Sequence, residues 1–163
     1  MKKIIFLLLF CPVLLFAQSE VSFMGIPVSC SYEQFNAQLS KKLSQIEVGS
    51  DYISYAGTFA GIEKCDISAE KDKDGNIAQI VVMKNLWEDS ADLRELKIKY
   101  DDKYGAPVDK KNDDGLIIYT YRRGEVAIEL WMGYGDVRHP SKPTEFMIIY
   151  YPRKFKSLST DDI

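Results

Sequence analysis

The chain has 163 residues, a formal net charge of −3 and basic residues interleaved with acidic ones. No face is therefore rich enough in positive charge to suit nucleic acid or an anionic membrane surface. The hydrophobic share of 46% is that of an ordinary globular domain with material for one core. These properties exclude a nucleic-acid partner and leave a compact protein-binding or catalytic domain.

The first residues have the composition of an export signal. Met1-Lys2-Lys3 is followed by an apolar run over residues 4–16 and by Ala17, a small residue suited to peptidase cleavage. The run is too short to span a bilayer, which takes roughly 20 residues. We expect residues 1–17 to be a signal peptide and residues 18–163 a single domain without a transmembrane segment, located in the periplasm or outside the cell. Phe10 disfavours lipid anchoring through Cys11, because a lipobox has a small residue there.

Two cysteines, Cys30 and Cys65, follow the signal. In an oxidising compartment an even number of cysteines could form a disulfide. Two buried free thiols are the alternative, because sequence does not show whether the two residues meet.

The first half of the domain has the pattern of one helix and three strands. Ser31 and Gln34 form a capping box, and Gly49 is a plausible helix stop. The expected buried stripe of this helix is Phe35, Leu39, Leu43 and Ile46. Strands are predicted at residues 51–56, 61–69 and 76–83, with a tight turn at Asp74-Gly75. Residues 21–28 could add an edge strand before the helix.

The second half repeats this order. Asp89 or Ser90 caps a helix that Gly105 ends. Its buried stripe is Leu93, Leu96, Tyr100 and Tyr104. Strands follow at residues 116–121, 125–132 and 145–151, and positions aligned between the halves lie about 64 to 68 residues apart. The sequence therefore predicts an α+β fold: a tandem α-β-β-β repeat over about 31–85 and 89–152, with two helices packed on one face of a mainly antiparallel sheet.

Three short motifs carry a resemblance. They are residues 23–27 (FMGIP), residues 57–61 (GTFAG) and residues 103–107 (KYGAP). With them the chain resembles a group of uncharacterised secreted proteins of Bacteroidetes. Their repeated helix-plus-sheet layout is similar to that of β-lactamase inhibitor proteins and of small outer-membrane assembly lipoproteins. The resemblance implies a periplasmic or surface-exposed binding module and carries no site residues across.

The sequence nominates no catalytic residue, metal ligand set or cofactor. His139 is the only histidine, and no two potential ligands have metal-binding spacing. Residues 72–76 (DKDGN) are similar to the start of a calcium loop, but the glycine is fourth where an EF-hand has it sixth. We therefore expect a hairpin turn there.

Aromatic residues concentrated in the second half are the strongest functional signal, because tyrosine and tryptophan dominate protein interfaces. The predicted interaction surface comprises Tyr119, Tyr121, Trp131, Tyr134 and Asp136. Part of this set should instead be core, since alternate residues of a strand face opposite sides of a sheet. By the same rule Tyr119 and Tyr121 share one side of their strand.

The leading functional prediction is a secreted, non-enzymatic module that binds a protein or cell-envelope component. Two alternatives are kept. One is a small envelope hydrolase acting through carboxylates, and the other is an inhibitor of a secreted enzyme that uses a protruding tip at residues 133–136.

Overall fold

A computed structural model describes residues 20–85, 91–113, 115–133 and 145–153. In these residues the chain forms an α+β fold with two helices and an eight-stranded antiparallel sheet. The helices are α1 (Tyr32–Leu39) and α2 (Ala91–Tyr104). The strands are β1 (Ser22–Phe23), β2 (Ile26–Pro27), β3 (Ser44–Val48), β4 (Tyr52–Phe59), β5 (Ile62–Lys71), β6 (Ile77–Asn85), β7 (Asp109–Asp113), β8 (Leu116–Arg123), β9 (Val126–Gly133) and β10 (Glu145–Tyr151).

The eight-stranded sheet has the order β3-β4-β5-β6-β10-β9-β8-β7, so the last strand of each half meets the other at the centre. Each helix is followed by four strands, and the predicted unit of one helix and three strands is wrong by one strand in each half. The two missed strands, β3 and β7, are the sheet edges. The six predicted strands overlap β4, β5, β6, β8, β9 and β10.

Helix α1 begins as predicted but ends early. The Ser31 hydroxyl accepts a hydrogen bond from the Gln34 backbone N–H at 3.3 Å, and the Gln34 side chain accepts one from the Ser31 N–H at 3.4 Å. The helix stops at Leu39, ten residues before the predicted Gly49. Ile46, predicted as buried helix, lies instead on β3 and is 60% exposed. The spacing of the apolar residues fits a longer helix, but the pairing of β3 with β4 makes this segment a strand.

Helix α2 keeps its predicted stripe. Leu93, Leu96, Tyr100 and Tyr104 are all buried. Gly105 ends the helix in the left-handed conformation, with φ of +83° and its N–H donating to the Asp101 carbonyl at 2.8 Å. Both predicted caps, Asp89 and Ser90, lie outside the described residues. Neither described helix has the length and apolarity needed to cross a membrane.

Residues 21–28 do not form an edge strand of the main sheet, so that expectation is wrong. They fold into a small hairpin in which Ser22 pairs with Pro27 and Phe23 with Ile26. Met24 and Gly25 make the turn, both with positive φ, which reverses the chain before a longer strand can form. Phe23 is fully buried by this hairpin.

A single core cluster lies between the helices and one face of the sheet. Residues of both helical stripes and of the N-terminal hairpin belong to it. The sheet contributes alternate residues, including Ile67 and Ala69 of β5, Ile80 and Val82 of β6, Ile128 and Leu130 of β9, and Ile148 and Tyr150 of β10. Both helices therefore pack on the same face, as predicted, and the opposite face, called the open face below, carries no helix of the described chain.

The turn between β5 and β6 is a hairpin, as expected. Gly75 has φ of +77°, and the Asp72 carboxylate accepts from the backbone N–H groups of Asn76 at 2.8 Å and Asp74 at 2.9 Å. The hydrogen bond from Asn76 in particular lowers the pKa of Asp72. In the described part of the chain, no three His, Cys, Asp or Glu residues are placed to hold a metal ion.

Candidate functional site

The open face carries a row of apolar side chains across four adjacent strands. Met83 of β6 is paired with Met147 of β10, Met147 with Trp131 of β9, and Trp131 with Ile118 of β8. Paired residues of neighbouring strands point to the same face about 4.8 Å apart, so the row extends roughly 14 Å. These four residues are called the apolar row below. They form one surface at the centre of the sheet.

A groove of about 410 Å³ lies over three residues of this row, Met83, Met147 and Trp131. Its walls are Asp66, Met83, Lys84, Leu116, Trp131, Gly133, Glu145, Phe146 and Met147. Met83 exposes 45% of its surface although β6 is a central strand. We call this depression the open-face groove. Its volume lies in the range of small-molecule and side-chain binding pockets, about 300–1,000 Å³.

Trp131 is held in place within the groove. Its indole N–H donates a 3.0 Å hydrogen bond to the Glu129 carboxylate, two residues earlier on the same face of β9. Glu129 is itself only 9% exposed. This hydrogen bond fixes the orientation of the Trp131 ring, so the ring would lose little freedom if another group packed on it.

The adjacent row of the open face is more closed than the groove. It joins Val81 of β6 to Ile149 of β10 and Ile149 to Glu129 of β9. All three residues are at most 9% exposed. Access to apolar surface is therefore concentrated at the Met83 end of the face, towards the paired strand ends at Gly133 and Glu145.

The rim of the groove carries charges of both signs. Asp66 and Glu145 are exposed carboxylates, and Lys84 is half-buried between them and the core face. A Cβ atom at Gly133 would lie 2.7 Å from the Glu145 Cγ, so a larger residue at this position would displace the Glu145 side chain. The groove therefore offers an apolar floor with carboxylates at its edge.

Tyr119 and Tyr121 do share one side of β8, as strand parity predicts, but that side faces helix α2. Tyr121 is fully buried, and its hydroxyl donates to Asp101 of α2 at 2.9 Å. The Lys97 ammonium lies 4.5 Å from the centre of the half-buried Tyr119 ring. The prediction that Tyr121 belongs to an interaction surface is wrong, because its ring completes the core under α2.

Asp101 makes the contact between α2 and Tyr121 of β8 dependent on pH. Burial acts to raise the pKa of Asp101, but the hydrogen bonds from Lys97 at 2.5 Å and from Tyr121 outweigh it and lower that pKa. Asp101→Asn should therefore destabilise the protein at neutral pH. The difference from wild type should shrink as pH falls below about 4, the usual aspartate pKa, and should disappear below the lowered pKa of folded Asp101, where the carboxylate is protonated in both states.

Urea unfolding midpoints at neutral pH and near pH 3 measure this effect. Asp102→Asn, at an exposed neighbouring position on the same helix, is the control and should leave the midpoints nearly unchanged. An equal loss for Asp101→Asn at both pH values would show that the carboxylate is not stabilising.

The remaining predicted residues fall into two groups. Tyr134 and Asp136, and with them the proposed inhibitory tip, lie outside the described residues. Cys30 and Cys65 are both free thiols. Each donates to the backbone carbonyl three residues earlier, of Pro27 at 2.9 Å and of Ile62 at 3.2 Å. Burial raises the pKa of both thiols, which keeps them in the less reactive protonated form.

Of the three predicted interaction residues that the structure describes, Tyr119, Tyr121 and Trp131, only Trp131 lines the open-face groove. The sequence analysis missed Met83, Met147 and Ile118, which complete the apolar row. The signal in the sequence was a methionine on each of two strands, at alternating positions that face away from the helices. It becomes informative only once β6 and β10 are known to be neighbours. The paired residues Met83 and Met147 are 64 residues apart in the chain.

Comparisons with protein-family models, with curated proteins and with solved structures found no match for this chain.

Proposed function

We propose that this chain is a non-enzymatic binding module, exported to the periplasm or the cell exterior, that holds an apolar segment of a protein partner in the open-face groove. The observation that carries the proposal is Met83, 45% exposed at the centre of an eight-stranded sheet. A large apolar side chain in that position leaves surface that a partner can remove from water. The export part of the proposal rests on the composition of residues 1–17.

The residue types in the groove suit a polypeptide partner. Methionine side chains are flexible and polarisable, so Met83 and Met147 can adapt to different apolar groups. Trp131 supplies the rigid counterpart, because its indole N–H is already bonded to Glu129. A fixed aromatic anchor surrounded by adaptable side chains is typical of the energetic centre of a protein interface.

The rim predicts the charge of the partner. Asp66 and Glu145 place two exposed carboxylates beside the apolar floor, against one lysine, Lys84, so the rim is negative on balance. A partner segment with lysine or arginine next to an aromatic or aliphatic residue would match this arrangement. The rim charges should act on association rate and salt dependence more than on affinity.

We also infer that the two halves descend from one helix followed by four strands. The support is that two of the three aligned pairs occupy equivalent places on either side of the sheet centre, whereas Tyr52 and Ile118 are the first residue of β4 and the third of β8. Ile62 and Val126 begin β5 and β9, and Ile80 and Ile148 are each the fourth residue of β6 and β10. This would explain why the groove forms where the two units meet.

Selection from a phage-displayed random peptide library tests the proposal. The mature protein should enrich peptides that pair an aromatic or long aliphatic residue with a basic one. Met83→Glu places a charge in the apolar floor and should weaken the selected peptides at least tenfold, an effect of about 1.4 kcal/mol or more.

Ile98→Glu is the matched control, because Ile98 is also a large exposed apolar residue, at 58%, but lies on α2 away from the groove. It should change peptide affinity by no more than about twofold, which corresponds to less than about 0.5 kcal/mol in the free energy of binding. Peptides that bind Met83→Glu as tightly as wild type would overturn the groove assignment. Turnover of envelope substrates that ends when one or two residues are replaced would overturn the non-enzymatic assignment.

A further inference from the structure

A second pocket lies on the helix side of the sheet, between α2 and the hairpins formed by β1–β2 and β4–β5. Its volume is about 240 Å³. Its lining comprises Ser22, Met24, Phe59, Ala60, Leu96, Lys99, Tyr100, Lys103, Tyr104 and Tyr150. We call it the tyrosine pocket, after the three buried tyrosines in its wall. It is separated from the open-face groove by the sheet itself.

The hydroxyl groups of the three tyrosines are hydrogen-bond donors, and they outnumber the hydrogen bonds that these hydroxyls form. Tyr100 and Tyr150 share one hydrogen bond between their hydroxyls, at 2.5 Å. The Tyr104 side chain is 7% exposed, and its hydroxyl forms no hydrogen bond of ordinary geometry with any described residue. It lies close enough to the Tyr150 hydroxyl to raise the pKa of Tyr150. A buried hydroxyl without a well-placed partner is unfavourable, so an acceptor atom that reached the Tyr104 hydroxyl would be bound there.

These donors keep their protons under physiological conditions. Burial holds the pKa of both Tyr100 and Tyr150 well above the usual tyrosine range. Neutral phenols at the base of the pocket therefore offer O–H groups to a neutral acceptor. A carboxylate at that depth would lose its hydration with no cation beside it, which is strongly unfavourable.

The mouth of the pocket has the opposite character. The Lys99 ammonium lies 3.5 Å from the Ala60 carbonyl oxygen, and the Lys103 ammonium lies 5.1 Å from the centre of the Tyr104 ring. Both lysines are exposed. They place positive charge where a carboxylate could remain partly hydrated.

The walls between base and mouth are apolar. Phe59 and Leu96 are almost fully buried, and Met24 is half-buried. An apolar cavity of about 150 Å³ accommodates benzene. The pocket is therefore large enough for one substituted aromatic ring and below the size that drug-sized ligands need, about 300 Å³ or more.

We propose that the tyrosine pocket binds a small single-ring aromatic carboxylate with a neutral oxygen on the far side of the ring. The carboxylate lies at the mouth near Lys99 and Lys103, the ring contacts Phe59 and Leu96, and the far oxygen accepts from the Tyr104 hydroxyl. This site is independent of the open-face groove and of the function proposed for it.

Calorimetric titration of the mature protein with three probes tests the assignment. The probes are 4-hydroxybenzoate, benzoate, which lacks the far oxygen, and phenol, which lacks the carboxylate. We expect 4-hydroxybenzoate to bind most tightly, and the loss of either polar group to weaken binding roughly tenfold.

Two variants assign each preference to its residues. Tyr104→Phe should bind 4-hydroxybenzoate and benzoate equally, because it removes the hydroxyl that distinguishes them. Lys99→Gln combined with Lys103→Gln changes only exposed positions and should reduce the preference for 4-hydroxybenzoate over phenol. The control Tyr55→Phe, whose hydroxyl is bonded to Asn36 at 3.1 Å outside the pocket, should bind all three probes like wild type.

The proposal is overturned if none of the probes binds the wild-type protein at millimolar concentration. It is also overturned if Tyr104→Phe keeps the full preference for 4-hydroxybenzoate over benzoate. Neither result would affect peptide binding in the open-face groove, so the two proposals fail separately.

Discussion

Replacing Phe23 with alanine should lower the free energy of unfolding by about 3–5 kcal/mol, the usual range for a fully buried phenylalanine. Phe23 is fully buried in the N-terminal hairpin and contacts three other rings. Ring centres lie 5.3 Å away for Phe59, 5.4 Å for Tyr150 and 6.0 Å for Phe35. These residues belong to β4, β10 and α1, so Phe23 joins the two halves of the sheet to the first helix.

Urea unfolding followed by circular dichroism measures the loss. Val108→Ala is the control, because Val108 is 62% exposed and its truncation should change stability by less than about 0.5 kcal/mol. A loss below about 1 kcal/mol for Phe23→Ala would contradict the account, because it would mean that the hairpin is only loosely attached.

Alkaline pH should destabilise the protein steeply, by about 3 kcal/mol between pH 10 and pH 11. Burial raises the pKa of Tyr100, Tyr121 and Tyr150 well above the usual value. In the unfolded chain tyrosine titrates near pH 10, so above that pH the unfolded state releases protons that the folded state retains. Each such group lowers stability by about 1 kcal/mol between pH 10 and pH 11, because unfolded tyrosine is already half ionised at pH 10, and below about pH 9 the effect vanishes.

Urea midpoints at pH 8.5, 10 and 11, with tyrosinate absorbance recorded in parallel, check this expectation. The double variant Tyr100→Phe, Tyr150→Phe keeps both rings and removes two of the three titrating groups. Its alkaline loss should be smaller by about two-thirds. If the double variant lost stability as steeply as wild type, the buried hydroxyls would not be the cause.

Local signals in the sequence predicted the elements whose ends are defined by particular residues. The capping box at Ser31, the left-handed Gly105 and the turn at Asp74-Gly75 all occur as expected. Their chemistry acts within a few residues, so it can be recognised without knowing the fold. The same holds for the buried stripe of α2, whose four residues recur at helical spacing.

The edge strands could not be predicted in this way. In β3, Ile46 continues the spacing of the α1 stripe, and only pairing with β4 makes the segment a strand. In β7, residues 109–113 (DKKND) contain no apolar residue at all, so no alternation marks it. Charged side chains on an exposed edge strand discourage pairing with other chains, which explains the composition after the fact.

The candidate site was predicted only in part, because it depends on contacts between distant segments. Trp131 was singled out by residue type, whereas Tyr121 was misassigned because parity does not say which side of a strand faces the helices. Met83 and Met147 become neighbours through the pairing of β6 with β10. Nothing in either segment alone indicates that pairing.

Methionine oxidation of the protein, free and bound to the tightest selected peptide, tests the central claim most directly, namely that partners bind in the open-face groove. Mild peroxide converts exposed methionine to its sulfoxide, and mass spectrometry gives the rate at each residue. We predict that the peptide slows oxidation of Met83 and Met147 several-fold and leaves Met24, on the opposite side of the sheet, unchanged. Unchanged oxidation of Met83 in the complex would contradict the account.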